Sequence, residues 1–276
     1  MHGHPYSFSH SVEQALALLR EQLLAEGSHT VAAIVLEGVT GSNGTLRHPP
    51  GFLEGVRALC DAHGIMMVSD EVMSGWGRTG KLFGFQHSAG VIPDIVTSAK
   101  GFNSAVLPLG LVGLRAHVAE RLRTTASGIG STYSGHPVAL ASAYAALKHF
   151  LREDIVGKVR AVEPVINECM QQLAGVHPAV KQARTVGCLG SIDVQRTRAG
   201  DFISEQWEPA HPAMQAFRAD LLRRGCYTLV KGHTIFSAPP LVSTPDEVRA
   251  MFKLVGESLP ILDAIVEDGR QDPDDR

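Results

Sequence analysis

Apolar positions in the first part of the chain alternate between helical stripes and short continuous runs. Val12, Ala15, Leu16, Leu19 and Leu23 form one stripe behind Ser11 and Gln14, which have capping-box spacing, and Gly27 supplies a stop. Val31 to Leu36 is a compact run ending on Glu37 and predicts a buried strand, and the glycine-rich stretch from Glu37 to Gly44 predicts a loop. Pro49-Pro50-Gly51 opens a second helix with Phe52, Val56, Leu59 and Cys60 on one face, closed by His63-Gly64. Ile65 to Val68 is the next run and stops at Asp70-Glu71. Asp94 to Ala99, which leads to Lys100, and Pro108 to Leu114 are further predicted strands.

Strands alternating with helices at short spacing predict βαβ units, with right-handed crossovers placing helices on the sheet faces. The expected fold class is α/β, a mainly parallel sheet with flanking helices, followed by a smaller α+β domain. His136-Pro137 starts a long helix whose body, Ala139 to Phe150, is alanine-rich, and residues 1–150 are assigned to the larger domain. Beyond that point Ile155 to Leu173 predicts a helix, Val186 to Val194 a strand, and Arg196 to Pro212 an irregular polar stretch. Met214 to Leu222 predicts a helix, Thr234 to Ala238 a short strand, and Thr244-Pro245-Asp246-Glu247 the cap of a final helix. Residues 151–266 are assigned to the smaller domain and 267–276 to an acidic, disordered tail.

Composition narrows the function classes. Hydrophobic residues at 44% and charged residues at 19% of 276 fit a globular protein, and a net charge of −3 without a basic block gives no nucleic-acid signature. No apolar run approaches the roughly 18 residues of a membrane span. Met1 to Gln14 lacks the basic and apolar regions of a signal peptide, so the cytoplasm is expected. Cys60, Cys169, Cys188 and Cys226 are scattered without a CxxC pair, which suits a reducing compartment and indicates neither a disulfide framework nor a zinc site. His2-Gly3-His4 is taken as a solvated terminus, and His87, His117 and His149 share no metal-ligand spacing, so no metal site is assigned.

Two runs end on opposite charges. In a parallel sheet Asp70 and Lys100 lie on one edge, where open α/β folds bind ligands. A lysine there can act as a nucleophile if its amine is kept partly unprotonated. Each signal alone is modest, because a strand-end aspartate more often caps or pairs, and a strand-end lysine more often faces solvent. Ser134 lacks the full Gly-x-Ser-x-Gly elbow, Cys60 lies on an apolar helix face, and Arg78 and Thr79 are assigned to bracing the loop after Asp70.

The combination is more specific. Asp70-Glu71-Val72, Gly75-Trp76-Gly77-Arg78-Thr79-Gly80, Pro93-Asp94-Ile95, Ala99-Lys100-Gly101 and Pro108-Leu109-Gly110 follow one another in an order that resembles the class III aminotransferases. These are pyridoxal-5′-phosphate enzymes of fold type I. A weaker resemblance runs through Thr132-Tyr133-Ser134-Gly135-His136-Pro137 to Ala238-Pro239-Pro240. It implies that Lys100 forms the internal aldimine and shuttles the substrate proton, and that Asp70 pairs with the pyridine nitrogen so that the ring accepts electrons. Val72 is expected to pack on the ring, on the same side of the strand as Asp70. The resemblance further implies that Thr132 binds the phosphate of a neighbouring subunit's cofactor, that Glu37 lies near the cofactor, and that the enzyme is a homodimer with shared sites.

Two departures from the family pattern shape the expectation. Ser42 and Phe236 stand where many members have a glutamate and a carboxylate-clamping arginine. The motif wording is closest to ω-amino-acid and taurine-type pyruvate aminotransferases, which implies an amine or ω-amino acid donor and a 2-oxo acid acceptor such as pyruvate. Members of the family also carry, ahead of anything matched here, a glycine/serine-rich phosphate-binding turn and an aromatic residue that stacks on the ring. Neither is found in Met1 to Thr30, so the chain is expected to be a fragment or truncated product, or to be completed by another chain. An aminomutase or decarboxylase of the same fold, and a non-catalytic remnant, stay open as alternatives.

Overall fold

A computed structural model describes residues 11–125, 130–205 and 210–267. The expectations for His2-Gly3-His4 and for the tail after Glu267 lie outside the described residues. The chain divides into two compact units, Met1–Gly41 with Leu46–Asp154, and Ser42–Thr45 with Ile155–Arg276.

The first unit is built on four strands, β1 (Ala33–Glu37), β2 (Met66–Asp70), β3 (Ile95–Ser98) and β4 (Leu111–Leu114), lying side by side in that order. β1, β2 and β3 are mutually parallel, as the alternation predicts, whereas β4 is antiparallel to β3. A parallel return needs a crossover, commonly a helix. The longer link between β2 and β3 makes that return with only the 3₁₀ turn Gly84–His87 in it, whereas the shorter link between β3 and β4, with the 3₁₀ turn Lys100–Phe102, turns back directly.

Helices α1 (Val12–Glu26) and α2 (Phe52–His63) cover one sheet face. The capping box at Ser11–Gln14 forms as predicted, and Gly64 ends α2 in the left-handed region at φ 66. Phe52, Leu53, Val56 and Cys60 of α2 pack with Ala15 and Leu23 of α1 against Ile34, Leu36 and Met67. Each fully buried large side chain contributes roughly 2 kcal/mol by removal from water. The opposite face carries Val35 and Val112, both 62% exposed. Helices α3 (Ala116–Thr124) and α4 (Pro137–Arg152) complete this unit, α4 opening on His136 and Pro137 as predicted.

The second unit begins with the 22-residue α5 (Ile155–Val176). The single strand expected over Val186 to Val194 is instead a hairpin of β5 (Val180–Val186) and β6 (Leu189–Val194), turning at Gly187 with φ 62. β5 escapes the sequence pattern because Lys181, Gln182 and Arg184 interrupt its apolar run. After α6 (Pro212–Arg223), β7 (Val230–Lys231) and β8 (Thr234–Ser237) complete an antiparallel sheet of order β5-β6-β8-β7, followed by α7 (Pro245–Ser258) and the short α8 (Pro260–Asp263). Thr244 caps α7 with Glu247 in the predicted capping box. Gly44 belongs to this unit, its carbonyl accepting from Arg184 Nε at 2.6 Å and Ser191 Oγ at 2.7 Å. Among the described residues, no helix is long and apolar enough to cross a membrane.

Candidate active site

The three parallel strands of the first unit end together. Glu37 is in register with Asp70, and Asp70 with Thr97, so neighbouring strands present these three residues on one sheet face at one edge. That face is the one α1 and α2 leave uncovered, since Ile34, Leu36 and Met67 point the other way.

A buried carboxylate at the far end of β3 fixes these strands. Asp94 accepts from the Met67 amide at 2.8 Å and from Arg57 Nη1 of α2 at 2.7 Å, with Arg115 and His117 each at 3.4 Å. Burial by itself would raise the Asp94 pKa, but the Met67 N–H and the Arg57 guanidinium outweigh it and hold the carboxyl below its ordinary value.

Glu71 organises the edge itself. It is fully buried, and each carboxylate oxygen accepts two hydrogen bonds. Ser69 Oγ and the Phe85 amide, both at 2.9 Å, donate to Oε1; Ser74 Oγ at 2.6 Å and the Gly84 amide at 2.7 Å donate to Oε2. Four donors satisfy the buried carboxyl group. A Cβ on Gly38 would come within 2.5 Å of Glu71 Oε1 and 2.2 Å of the Phe85 amide nitrogen, so only glycine lets the chain leaving Glu37 pass this knot. The Glu71 amide donates to Thr97 O at 2.8 Å, joining β2's end to β3's. No local sequence signal marks Glu71 as a hub, because its amide partners lie 13 and 14 residues ahead.

Against that frame the expected site residues take definite places. Asp70 is half-buried, and its Oδ1 accepts from the Val72 amide at 2.9 Å, while among the described residues no hydrogen bond reaches Oδ2. Val72 departs from the expectation in one respect. β2 ends at Asp70, so Val72 lies in the following turn and not two residues along the same strand; an Asx-type turn replaces strand alternation there. The turn itself keeps Val72 beside Asp70.

Glu37 accepts from the Gly41 amide at 2.7 Å. Burial pushes its carboxyl pKa up; the Gly41 N–H works against that, the neighbouring Asp70 adds to it, and Lys100 lies near enough to favour the charged form. Lys100 is exposed and opens the 3₁₀ turn after β3 with φ 43, in the left-handed region that non-glycine residues rarely adopt. Thr132 lies on an exposed turn ahead of α4, away from the strand-end edge in sequence and with its side chain in solvent. Phe236, where the resemblance leads one to look for an arginine, is 5% exposed in β8 and offers no carboxylate clamp.

The residues at the edge fit pyridoxal phosphate. A primary amine on a constrained turn, a carboxylate with one free oxygen and a partly buried second carboxylate meet at strand ends above an uncovered face. That set can bind an aldehyde covalently and hold a protonated ring nitrogen.

Comparison with known proteins agrees. The family model for aminotransferase class-III matches residues 4–259. Gamma-aminobutyrate transaminase 1, mitochondrial, of Oryza sativa subsp. indica is 33% identical over 247 residues, covering 87% of this chain and 47% of the relative. The chain thus spans about half the length of the curated relatives it matches. Among solved structures, taurine:2-oxoglutarate aminotransferase from Bifidobacterium kashiwanohense, in complex with PLP and glutamate, superposes with a TM-score of 0.88 at 33% identity, covering 92% of this chain and 56% of that one. An (S)-enantioselective omega-transaminase from Thermomicrobium roseum superposes with a TM-score of 0.84 at 33% identity, covering 94% and 59%. The α/β fold of pyridoxal-phosphate transaminases expected from the motifs is therefore the fold found, and the chain belongs to the class III aminotransferase family, whose cofactor is pyridoxal 5′-phosphate.

Proposed function

We propose that this chain carries the reactive residues of a transaminase that moves an amino group from an amine or ω-amino acid to a 2-oxo acid such as pyruvate. The observation that carries the reading is the convergence of Asp70, Glu37 and the Lys100 turn at one sheet edge. When bound, pyridoxal phosphate supplies the electron sink for a carbanion beside the transferred nitrogen. Lys100 Nζ is the group that would hold the cofactor's aldehyde and would serve as the base for the proton on the carbon that bears the amine. Asp70 Oδ2 would accept the ring N–H, with the Val72 amide on Oδ1 fixing the carboxylate plane. Val72 would flank the ring, and Glu37 lies at the edge beside Asp70.

An ω-amino donor is supported by two features. The relatives named above are named for γ-aminobutyrate and taurine, both of which carry the amine at the end remote from their acid group. Position 236 holds a buried phenylalanine, so an α-carboxylate finds no guanidinium there.

A second copy of the chain is proposed as partner, with Thr132 reaching the phosphate in that copy's site. Tyr133 (80% exposed) and Tyr144 (66%) expose a large apolar surface around α4, which suits a shared interface. Four free cysteines, three of them buried, support the cytoplasm as the compartment.

The test is product analysis. The chain is incubated with pyridoxal phosphate, pyruvate and either γ-aminobutyrate or taurine, beside Lys100→Ala and Asp70→Asn. Alanine formed by the unsubstituted chain and lost in Lys100→Ala supports amino transfer. Carbon dioxide release without alanine would replace it with decarboxylation, and full turnover in a folded Asp70→Asn would remove Asp70 from its role.

A further inference from the structure

We propose that Trp76 and Ser98 are positioning residues that hold the Lys100 turn in its left-handed conformation and so aim its amine. The inference rests on the aminotransferase reading only in naming Lys100 as the reactive amine; the clamp itself is defined by contacts around the turn.

Lys100 has φ 43 and follows Ala99 at φ −160, ψ −144. An L-residue is held there only by surroundings that over-determine it. Trp76 supplies contacts on both sides. Before the lysine, its indole Nε1 donates to Ser98 Oγ at 2.7 Å, and Ser98 Oγ in turn donates to Glu71 O at 3.2 Å, one residue from Asp70. After the lysine, a Cβ on Gly101 would lie 2.9 Å from Trp76 Cβ, and the Phe102 ring centroid is 5.0 Å from that of Trp76. Trp76 therefore touches the chain two residues before and two residues after Lys100, and leaves no room for a side chain at the residue between, Gly101.

Trp76 is itself fixed. It is buried, has φ 56, and meets the Phe83 and Phe150 rings edge-on at centroid distances of 5.4 and 6.2 Å. Asn103, which follows the turn, is buried and its Oδ1 accepts from Ser142 Oγ of α4 at 2.7 Å. A tryptophan serving only as core filler needs ring contacts alone. Here the N–H is spent on the strand end that leads into Lys100, and the Ser98 proton continues to the backbone beside Asp70. The two groups assigned to the cofactor, on different strands, are thereby held at a fixed relation.

The test uses Trp76→Phe, which keeps the ring and removes the donor, Ser98→Ala, which removes the acceptor, and the double variant. The first readout is amide hydrogen exchange in the chain alone, at Phe102 and Asn103, whose N–H groups donate to Ala99 O at 3.1 Å and Lys100 O at 3.3 Å. Either single variant is expected to speed exchange at these two amides about tenfold, without change in the β1 and β2 amides, and the double variant to add little. The second readout is the pH midpoint of the visible absorption band in the cofactor-loaded chain, which should shift in the same direction in both single variants. Unchanged exchange at Phe102 and Asn103 in Trp76→Phe overturns the proposal, as does a loss of protection spread evenly over the sheet. So does a midpoint that stays put while the turn loosens. If the unsubstituted chain acquires no band, the aminotransferase reading fails, and exchange alone still decides the clamp.

Discussion

Two glutamates near the strand-end edge meet burial in opposite ways. Glu71 is surrounded by four donors, whereas Glu37 has one backbone donor and an acidic neighbour. Glu71→Gln would turn an amide NH₂ toward an N–H or hydroxyl that now donates, leaving a buried donor unpaired. We expect a loss of about 2–3 kcal/mol, read as a lower denaturant midpoint at unchanged slope. Glu37 should behave the other way. Its folded-state pKa is raised above its ordinary value, so the native state binds more protons than the unfolded state between the two values, and stability falls as pH rises through that window. Glu37→Gln, which keeps an oxygen for the Gly41 amide, is expected to raise the melting temperature at pH 7 and to leave it nearly unchanged at pH 4. A lower melting temperature at pH 7 would refute the assignment. Stability given up at such a residue is the usual mark of a functional site. Asp70 and Lys100 were legible in the sequence because each ends an apolar run on a charge. Glu71, Trp76 and Ser98 were not, because deciding partners are far along the chain: the amides on Glu71 come from Gly84 and Phe85, and Trp76 and Ser98 are 22 residues apart and meet only once β2 and β3 lie side by side.

Elements show the same division between local and non-local causes. The caps at Ser11, His136-Pro137 and Thr244 act within one turn, so each helix start was set by residues adjacent in sequence. β5 was hidden because its partners are β6 across the Gly187 turn and the α5 helix, and its polar positions broke the apolar run. The reversed direction of β4 goes with the shorter β3–β4 link, which no apolar pattern reports. Among ties between elements, Asp94 joins α2, β2 and β3 through Arg57 and the Met67 amide. Its folded pKa is depressed, so its contribution is complete above the unfolded value near 3.8 and is lost as pH falls through the lower folded value. We expect the acid limb of a stability profile below about pH 4 to be shallower in Asp94→Asn than in the unsubstituted chain. At neutral pH that variant should lose about 1–3 kcal/mol, since Arg57 keeps only the solvent-facing Asp61, at 2.9 Å, as an acidic partner. Equal acid limbs would show that Asp94 does not carry the tie.

At the scale of the whole molecule, the fold class and the order of the motifs were legible, and the family match over residues 4–259 agrees with them. The exposed surface around α4 was not, because a surface declares itself only when side chains are placed. The exposed tyrosines around α4 favour a second copy there. Tyr144→Glu is expected to shift sedimentation from dimer toward monomer at micromolar concentration with little change in melting temperature, since the ring is solvated in a single chain. An unchanged sedimentation coefficient would place the interface elsewhere.

Lys100 is the residue proposed to hold the cofactor. That role is tested most directly by incubating the chain with pyridoxal phosphate, reducing with borohydride, and mapping the modified peptide by mass spectrometry. A reduced pyridoxyl group is expected on Lys100 and is expected to be absent in Lys100→Ala. A folded chain modified at another lysine, with Lys100 untouched, would contradict it.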